Sequence, residues 1–421
     1  MASPTTKSAG PNSNAPFATY DQSKMTALLH RLKGDRVIWM TALFLGLISL
    51  LAVYSSISSL AFKREGGSTL HFLFKHGLML ASGGLIMHYA SKLKYGAYSR
   101  LAQLAIWFTA GLLLLTLILG SNINDASRWI TIPVINQSFQ TSDLAKVVLI
   151  VYLARVLGKH QEQEWSFREV LMKLMLPVGV ICGLILPANF STAAMLFVIC
   201  LVIMFIGRVP IKWLAAIVGI GIAAFLLLIM VAKLKPGLLP RADTWAKRWD
   251  VFMGDVPAAE LSDANYQAEH AKIAIATGGL LPNGPGSGAS RNWLPHPYSD
   301  MIYAFIIEEY GSILGGLGLL LLYTILLHRS VRIASRCAKP FGSLAAVGLG
   351  LLLVVQAMIN MAVAVNLVPV TGQPLPLVSM GGTSVWFSCL AIGIIISISR
   401  SVDEDEQPKP PDAIKLRTSV A

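Results

Sequence analysis

Charge is scarce in this chain. Of 421 residues, 13% are charged and 54% are hydrophobic, against roughly 25% and 45–50% in soluble domains. A soluble core cannot absorb that much apolar surface, so the bilayer must act as solvent for much of the chain. Acid is scarcer than base, with 22 Asp and Glu against 34 Lys and Arg. The basic residues fall in short runs between apolar segments, a pattern of membrane topology rather than a nucleic-acid footprint. Cysteine is also rare. Cys182, Cys200, Cys337 and Cys389 lie in or beside apolar segments without CxxC spacing, which argues against a zinc or disulfide framework and for structural thiols. No charged-then-apolar signal peptide opens the chain, so the first apolar segment is expected to stay as a helix. The glycines between Pro282 and Gly288 lack a following Lys-Ser/Thr and a strand–loop–helix setting. They read as a turn-rich loop, not a nucleotide cradle.

Apolar segments of about the 20 residues that a bilayer core requires run Val37–Leu60, Leu70–Tyr89, Leu101–Gly120, Leu144–Leu157, Val170–Leu186, Thr192–Ile206, Trp213–Ala232, Met301–Leu327, Leu344–Val365 and Thr383–Ile398. The expected fold is an all-α integral membrane protein of about ten transmembrane helices. The pair around Pro187-Ala188-Asn189 can also be read as a broken or re-entrant unit. Lys92, Lys94, Arg100, Lys159, Arg168, Arg208, Lys212, Arg329, Arg332, Arg336 and Lys339 then share one side, which the positive-inside rule makes cytoplasmic. Both termini are expected inside. Residues 1–36 read as a disordered cytoplasmic tail, 37–400 as the membrane domain and 401–421 as a second tail with a solvated acidic cluster, Asp403 to Glu406.

One connection, about 234–299 between the seventh and eighth spans, is long and polar on the outer side. Loops of that length tend to be functional or disordered. Ionisable residues at membrane depth are functional candidates by default, and Lys75, His76, Asp143, Lys146, Asp300, Glu308 and Glu309 fall at or near it. Gln356 and Asn360 share a face of the ninth span, where interhelical hydrogen bonding is the plainer account.

Four separated stretches carry a resemblance. They are Ser127-Arg128-Trp129-Ile130 followed by Phe139-Gln140-Thr141-Ser142-Asp143-Leu144-Ala145-Lys146; Tyr266-Gln267 with Ala274 to Leu280; Leu294-Pro295-His296-Pro297-Tyr298-Ser299-Asp300; and Pro369 to Ser384 with Ser379 inside it. In order and spacing they resemble the shape, elongation, division and sporulation (SEDS) family of bacterial membrane proteins, over about residues 37–400. The opening Asp35-Arg36-Val37-Ile38-Trp39 and the polar N-terminal tail look more like the division-type member than the elongation-type one. Asn189 stands where the family has aspartate, Tyr298 where it has histidine, and Thr141-Ser142-Asp143 where it has Pro-Ser-Glu.

The resemblance implies a peptidoglycan glycosyltransferase that joins lipid II units into glycan strands. It places the family's aspartate on Asp300. A carboxylate at the outer end of a span can accept the proton of an attacking sugar hydroxyl. The leaving undecaprenyl pyrophosphate is anionic, which makes Arg128, Lys146, Arg248 and Lys75 candidate contacts; Trp129, Gln140 and Ser379 complete the expected substrate-binding set. A divalent cation (Mg or Mn) is a candidate cofactor. The implied partners are lipid II, a class B penicillin-binding protein transpeptidase, other division proteins and the membrane, with no nucleic acid. The competing readings are a lipid II flippase, which predicts ionisable groups along the whole path and inverted repeats, and a non-catalytic scaffold.

Overall fold

The computed structural model describes residues 33–64, 69–119, 121–123, 126–132, 137–161, 163–234, 263–290 and 299–406. The expected tails before 33 and after 406, Arg248 and the rest of 235–262, and residues 291–298 lie outside the described residues.

Helices α1 (Arg36–Arg64), α2 (Thr69–Lys92) and α3 (Tyr95–Leu119) come first. Asp35 starts α1. One carboxylate oxygen accepts from Val37 N at 2.9 Å and Ile38 N at 3.2 Å, satisfying donors that a helix start leaves open. A small antiparallel sheet follows, ordered β1 (Ser121–Ile123), β2 (Ala126–Ile132), β3 (Gln137–Gln140). It is a short addition to a chain that is otherwise helical, as expected of an all-α membrane protein. The β-branched run Ile130-Thr131-Ile132 favours a pleated strand, but it is too short to show against its long apolar neighbours.

The chain then passes from β3 directly into α4 (Thr141–Lys159). A short α5 (Phe167–Glu169) continues through a π-helical turn, Val170–Met175, into α6 (Leu176–Ile185). After a tight turn, Asn189 caps α7 (Phe190–Ile206), its side chain accepting from Thr192 N at 3.2 Å. Asparagine caps a helix as well as aspartate does, so the departure at Asn189 leaves this local structure intact. Next are α8 (Ile211–Leu234), α9 (Asp263–Gly278) and α10 (Ile302–Tyr310). A π-helical turn, Gly311–Leu317, leads into α11 (Gly318–Arg336), and α12 (Pro340–Ala364) and α13 (Ser384–Glu406) complete the fold. The long polar connection of about 234–299 is thus partly helical, and α13 runs past the expected boundary at 400.

Among the described residues, six helical segments are long and apolar enough to cross a bilayer: Arg36–Ser56, Leu70–Lys92, Tyr95–Leu119, Ile302–Arg336, Pro340–Ala364 and Ser384–Glu406. Phe190–Ile206 and Ile211–Ala223 are shorter apolar helices. The segment Ile302–Arg336 has 35 residues, ~52 Å as one helix and too long for a ~30 Å core. Gly311 breaks it with φ +72°, and a Cβ there would lie 2.6 Å from the carbonyl carbon of Leu281.

Of these six segments the most buried are those of α12 and α13, with 67% and 72% of their apolar windows buried against 22% for α2. Small residues close the α2–α13 seam. A Cβ on Gly83 would meet Cys389 Sγ at 2.9 Å, and one on Gly393 would meet Ala90 Cβ at 2.7 Å, the close approach that helix packing in lipid favours. The acidic cluster expected to be solvated is partly tied down: Arg336 Nε donates to Glu406 Oε1 at 3.0 Å, and Arg400 pairs with Glu404 at 3.7 Å. All four cysteines are free.

Candidate active site

Asn360 lies twenty residues along α12 from Pro340, ~30 Å at 1.5 Å per residue, which is the thickness of a bilayer core. Asp300 sits at that level, half-buried at the entrance to α10. Its main-chain carbonyl accepts from Asn360 Nδ2 at 2.8 Å, and the carbonyl of Ser299 accepts from Ser379 Oγ at 2.7 Å. The Ser299 hydroxyl donates to Asp300 Oδ1 at 2.9 Å. The other carboxylate oxygen faces Gly372, where a Cβ would stand 3.5 Å from it. Gly372 has φ +64°, a left-handed turn that glycine adopts without strain.

Residues 372–379 form an irregular segment that dips below Asp300. Tyr323 and Ser49, which hold it, each stand thirteen residues from the Arg336 and Arg36 ends of their helices, ~20 Å along. Irregular backbone at that depth is tolerated only where protein groups satisfy it. Gln373 O accepts from Asn360 Nδ2 at 2.8 Å, and Pro374 O from Gln356 Nε2 at 2.9 Å. Pro376 O accepts from the Tyr323 hydroxyl at 2.5 Å, and Val378 O from Ser49 Oγ at 2.7 Å. His76 Nε2 lies 2.7 Å from that same Ser49 oxygen. The Gln373 side chain reaches Thr192 Oγ1 at the start of α7, and Leu375 N donates to Ser379 Oγ at 2.8 Å.

Beneath the segment lies a buried ion pair. Lys146 and Asp143, both 2% exposed, are joined Nζ to Oδ1 at 2.7 Å. Lys146 Nζ also donates to Gln356 Oε1 at 2.7 Å. Asp143 occupies the first turn of α4, where the helix dipole favours a negative charge.

The FtsW/RodA/SpoVE family of cell cycle proteins matches residues 35–404. The chain belongs to this family. A probable peptidoglycan glycosyltransferase FtsW from Geobacter sp. (strain M18) is 30% identical over 379 residues, covering 88% of this chain and 98% of that protein. Among solved structures, one reporting the structural coordination of polymerization and crosslinking by a peptidoglycan synthase complex superposes with a TM-score of 0.63. It is 24% identical over 85% of this chain and 97% of its own. The Thermus thermophilus rod shape determining protein RodA gives a TM-score of 0.62 at 21% identity, over 89% and 98% of the two chains. At such identities these two structures show the fold.

The family's motif residues converge, though not all as the sequence reading expects. Asp300, Ser379 and, through Gln356, Lys146 meet around the 372–379 segment. Ser379 spends its hydroxyl proton on Ser299 O, which makes it a brace behind the aspartate. The first motif is joined across the sheet, with Trp129 opposite Gln140 and Ile130 opposite Phe139. Arg128 lies on β2 beside them. Gln140 anchors the sheet to α13: its N–H donates to Thr383 Oγ1 at 3.1 Å, and Nε2 donates to Ser142 Oγ at 3.1 Å. Lys75 stands exposed next to buried His76, and Arg248 lies outside the described residues. Sequence reasoning missed Ser49, Tyr323 and the loop contacts of Gln356 and Asn360, while the interhelical bond expected of Gln356 is present, to Lys146 on α4. The available signal was polar side chains one turn apart in apolar helices; the pattern does not show that their partner is a loop.

A second polar cluster involves Glu308 and Glu309, 4% and 0% exposed. Glu308 Oε1 accepts from Ala289 N at 3.0 Å and Ser290 N at 3.2 Å, and Glu309 Oε1 accepts from Gly286 N at 2.8 Å. The glycine-rich stretch is therefore a set of backbone donors closed on two carboxylates, beside a cavity of about 360 Å³ lined by His270, Asn283, Ser287 and Glu308 among others. Among the described residues, no three His, Cys, Asp or Glu side chains come together to hold an ion.

Proposed function

We propose that this protein is a peptidoglycan glycosyltransferase that polymerises lipid II at the outer face of the bacterial inner membrane, with Asp300 as general base. The observation that carries the reading is the half-exposed Asp300 carboxylate, one bilayer core away from the Pro340 end of α12, with its backbone clamped from two sides. Loop charge supports a ten-span, N-in and C-in topology, which puts Asp300 outside, where an incoming strand end and a lipid-linked donor meet.

The acceptor's 4-hydroxyl attacks the anomeric carbon of the donor sugar as its proton passes to Asp300. The new C–O bond forms while the bond from that carbon to undecaprenyl pyrophosphate breaks, and a single displacement inverts an α-linked donor to a β-linked product. The pyrophosphate leaves with the electron pair. Arg128, Arg248 and Lys75 are the cations proposed to meet it, and Trp129 and Gln140 complete the proposed substrate contacts. Lys146 directs two of its three ammonium protons at Asp143 and Gln356 and is 2% exposed, so it reaches a phosphate oxygen only where the segment above it opens. Ser379 can accept a hydrogen bond from substrate, its proton being committed. The division-type assignment, with a class B penicillin-binding protein cross-linking the strand at the septum, rests on the opening sequence and on the Geobacter relative.

The test is lipid II polymerisation by the purified protein, with and without its cognate transpeptidase, comparing wild type with Asp300→Ala. A loss of about 10²–10⁴-fold is expected for removal of a general base, with the thermal midpoint unchanged. Equal polymer from both proteins would remove Asp300 from the chemistry. No polymer from wild type with the partner present would favour flipping or scaffolding.

A further inference from the structure

In sequence Asn360 reads as an ordinary interhelical hydrogen-bonding residue, but the geometry gives it a narrower task. We infer that Asn360 is a positioning residue for Asp300, its side-chain amide tying the aspartate's main-chain carbonyl to that of Gln373 and so fixing the carboxylate against the 372–379 segment. The inference rests on the reading of Asp300 as the base.

Asn360 is 1% exposed. One nitrogen, Nδ2, serves both carbonyls, each at 2.8 Å. An amide group offers two hydrogens, and both are used. This also settles which way the amide points, because a flipped group would set Oδ1 against two carbonyl oxygens. Oδ1 itself has no hydrogen-bond partner among the described residues. A buried acceptor left open in this way calls for an explanation. Here the explanation is that the amide is oriented by its two donor contacts. Ser379 holds the preceding carbonyl, Ser299 O, from the segment's far end. The Ser299–Asp300 backbone is therefore pinned by two residues on different elements, neither of which touches the carboxylate. Gln356 provides an internal comparison. It lies one turn earlier on the same face with the same amide chemistry, yet it holds Pro374 O and Lys146 rather than Asp300. A displacement of about 1 Å in a catalytic group costs on the order of 10²-fold in rate, so loss of the Asn360 tether should appear in kcat.

The experiment uses the full-length protein with Asn360→Leu, Asn360→Gln and Gln356→Leu. Lipid II polymerisation should show kcat reduced about 10–100-fold in Asn360→Leu, with KM changed by no more than about twofold. Asn360→Gln keeps the donors and should recover part of the loss. Gln356→Leu should lower the thermal midpoint at least as much as Asn360→Leu while losing less kcat. A second readout is independent of turnover: in an Asp300→Cys background, adding Asn360→Leu should change the rate of thiol labelling by a maleimide several-fold. Equal kcat losses for the two leucine variants, or an unchanged labelling rate, would overturn the positioning role. If wild type makes no polymer, the function above fails, and the labelling experiment still decides whether Asn360 places residue 300.

Discussion

Two irregular segments of this protein are held by opposite chemistry. In 372–379 the backbone supplies acceptors: the carbonyls of Gln373, Pro374, Pro376 and Val378 each accept a hydrogen bond from a side chain on α1, α11 or α12. In 283–290 the backbone supplies donors: the amides of Gly286, Ala289 and Ser290 converge on Glu309 and Glu308. Proline accounts for part of the difference. The 372–379 segment holds Pro374 and Pro376, residues with no N–H to offer and carbonyls still to satisfy. The 283–290 stretch has one proline and three glycines; Gly286 donates its own N–H, and a Cβ on Gly288 would stand 2.7 Å from Glu308 Oε2, so the carboxylates come close where no side chain intervenes. One arrangement spreads its support over neutral donors on three helices, so loss of Gln356, Tyr323 or Ser49 leaves one carbonyl open. The other concentrates support on two adjacent acids, so loss of Glu308 opens two amides together.

The largest effect should come from breaking the charge beneath the first segment. Lys146→Met leaves Asp143 buried and unpaired, and removal of one partner of a buried pair costs about 3–5 kcal/mol. Thermal unfolding in detergent should show this loss, and Asp143→Asn combined with Lys146→Met should recover most of it. If the double variant is no more stable than the single one, the ion pair is not what Lys146 contributes to the fold. The segment above would then depend on the lysine's bond to Gln356.

A smaller loss is expected at the second segment. Glu308→Ala removes the acceptor for two amides at once, a cost of about 2–3 kcal/mol, whereas Glu308→Gln keeps an oxygen in place and should cost clearly less. Hydrogen exchange should accelerate at Ala289 and Ser290 while protection in α12 is unchanged. Acceleration that spread into α12 would mean the two segments are one cooperative unit, and the contrast between them would collapse.

Much of this architecture is legible in the sequence, but unevenly. The apolar runs locate the long helices because spanning a bilayer leaves a 20-residue signature, and Asp300 is reachable from its motif and its place at a helix end. The sheet is less legible: its strands are short and sit between longer apolar runs, although Trp129 and Gln140 belong to one quoted motif. The glycine-rich stretch reads correctly as a turn, but nothing in its residues says that Glu308 and Glu309, some twenty positions later, close it. Tyr323 and Ser49 are the least legible. A serine or threonine hydroxyl in an apolar helix usually bonds its own backbone, as Thr324 does to Leu320 O at 2.8 Å, so only the fold shows that Ser49 turns instead to Val378 O, and only the fold shows which carbonyl the hydroxyl of Tyr323 meets.

That tyrosine gives the smallest predicted effect and the sharpest check on distributed support. Tyr323→Phe keeps the ring, which is fully buried, and deletes only the hydroxyl that donates to Pro376 O at 2.5 Å. One carbonyl is left open, for a cost of about 1–2 kcal/mol. The donors to Gln373, Pro374 and Val378 remain, and so do both bonds that fix Asp300. The thermal midpoint should fall modestly and kcat for lipid II polymerisation should stay within about threefold of wild type, well short of the loss expected from Asn360→Leu. A destabilisation as large as that of Glu308→Ala would mean that one donor carries the segment, and the support from three helices would be redundant in appearance only. A large fall in kcat with little change in stability would instead show that the bottom of the segment, and not just its contact with Asn360, sets the position of Asp300.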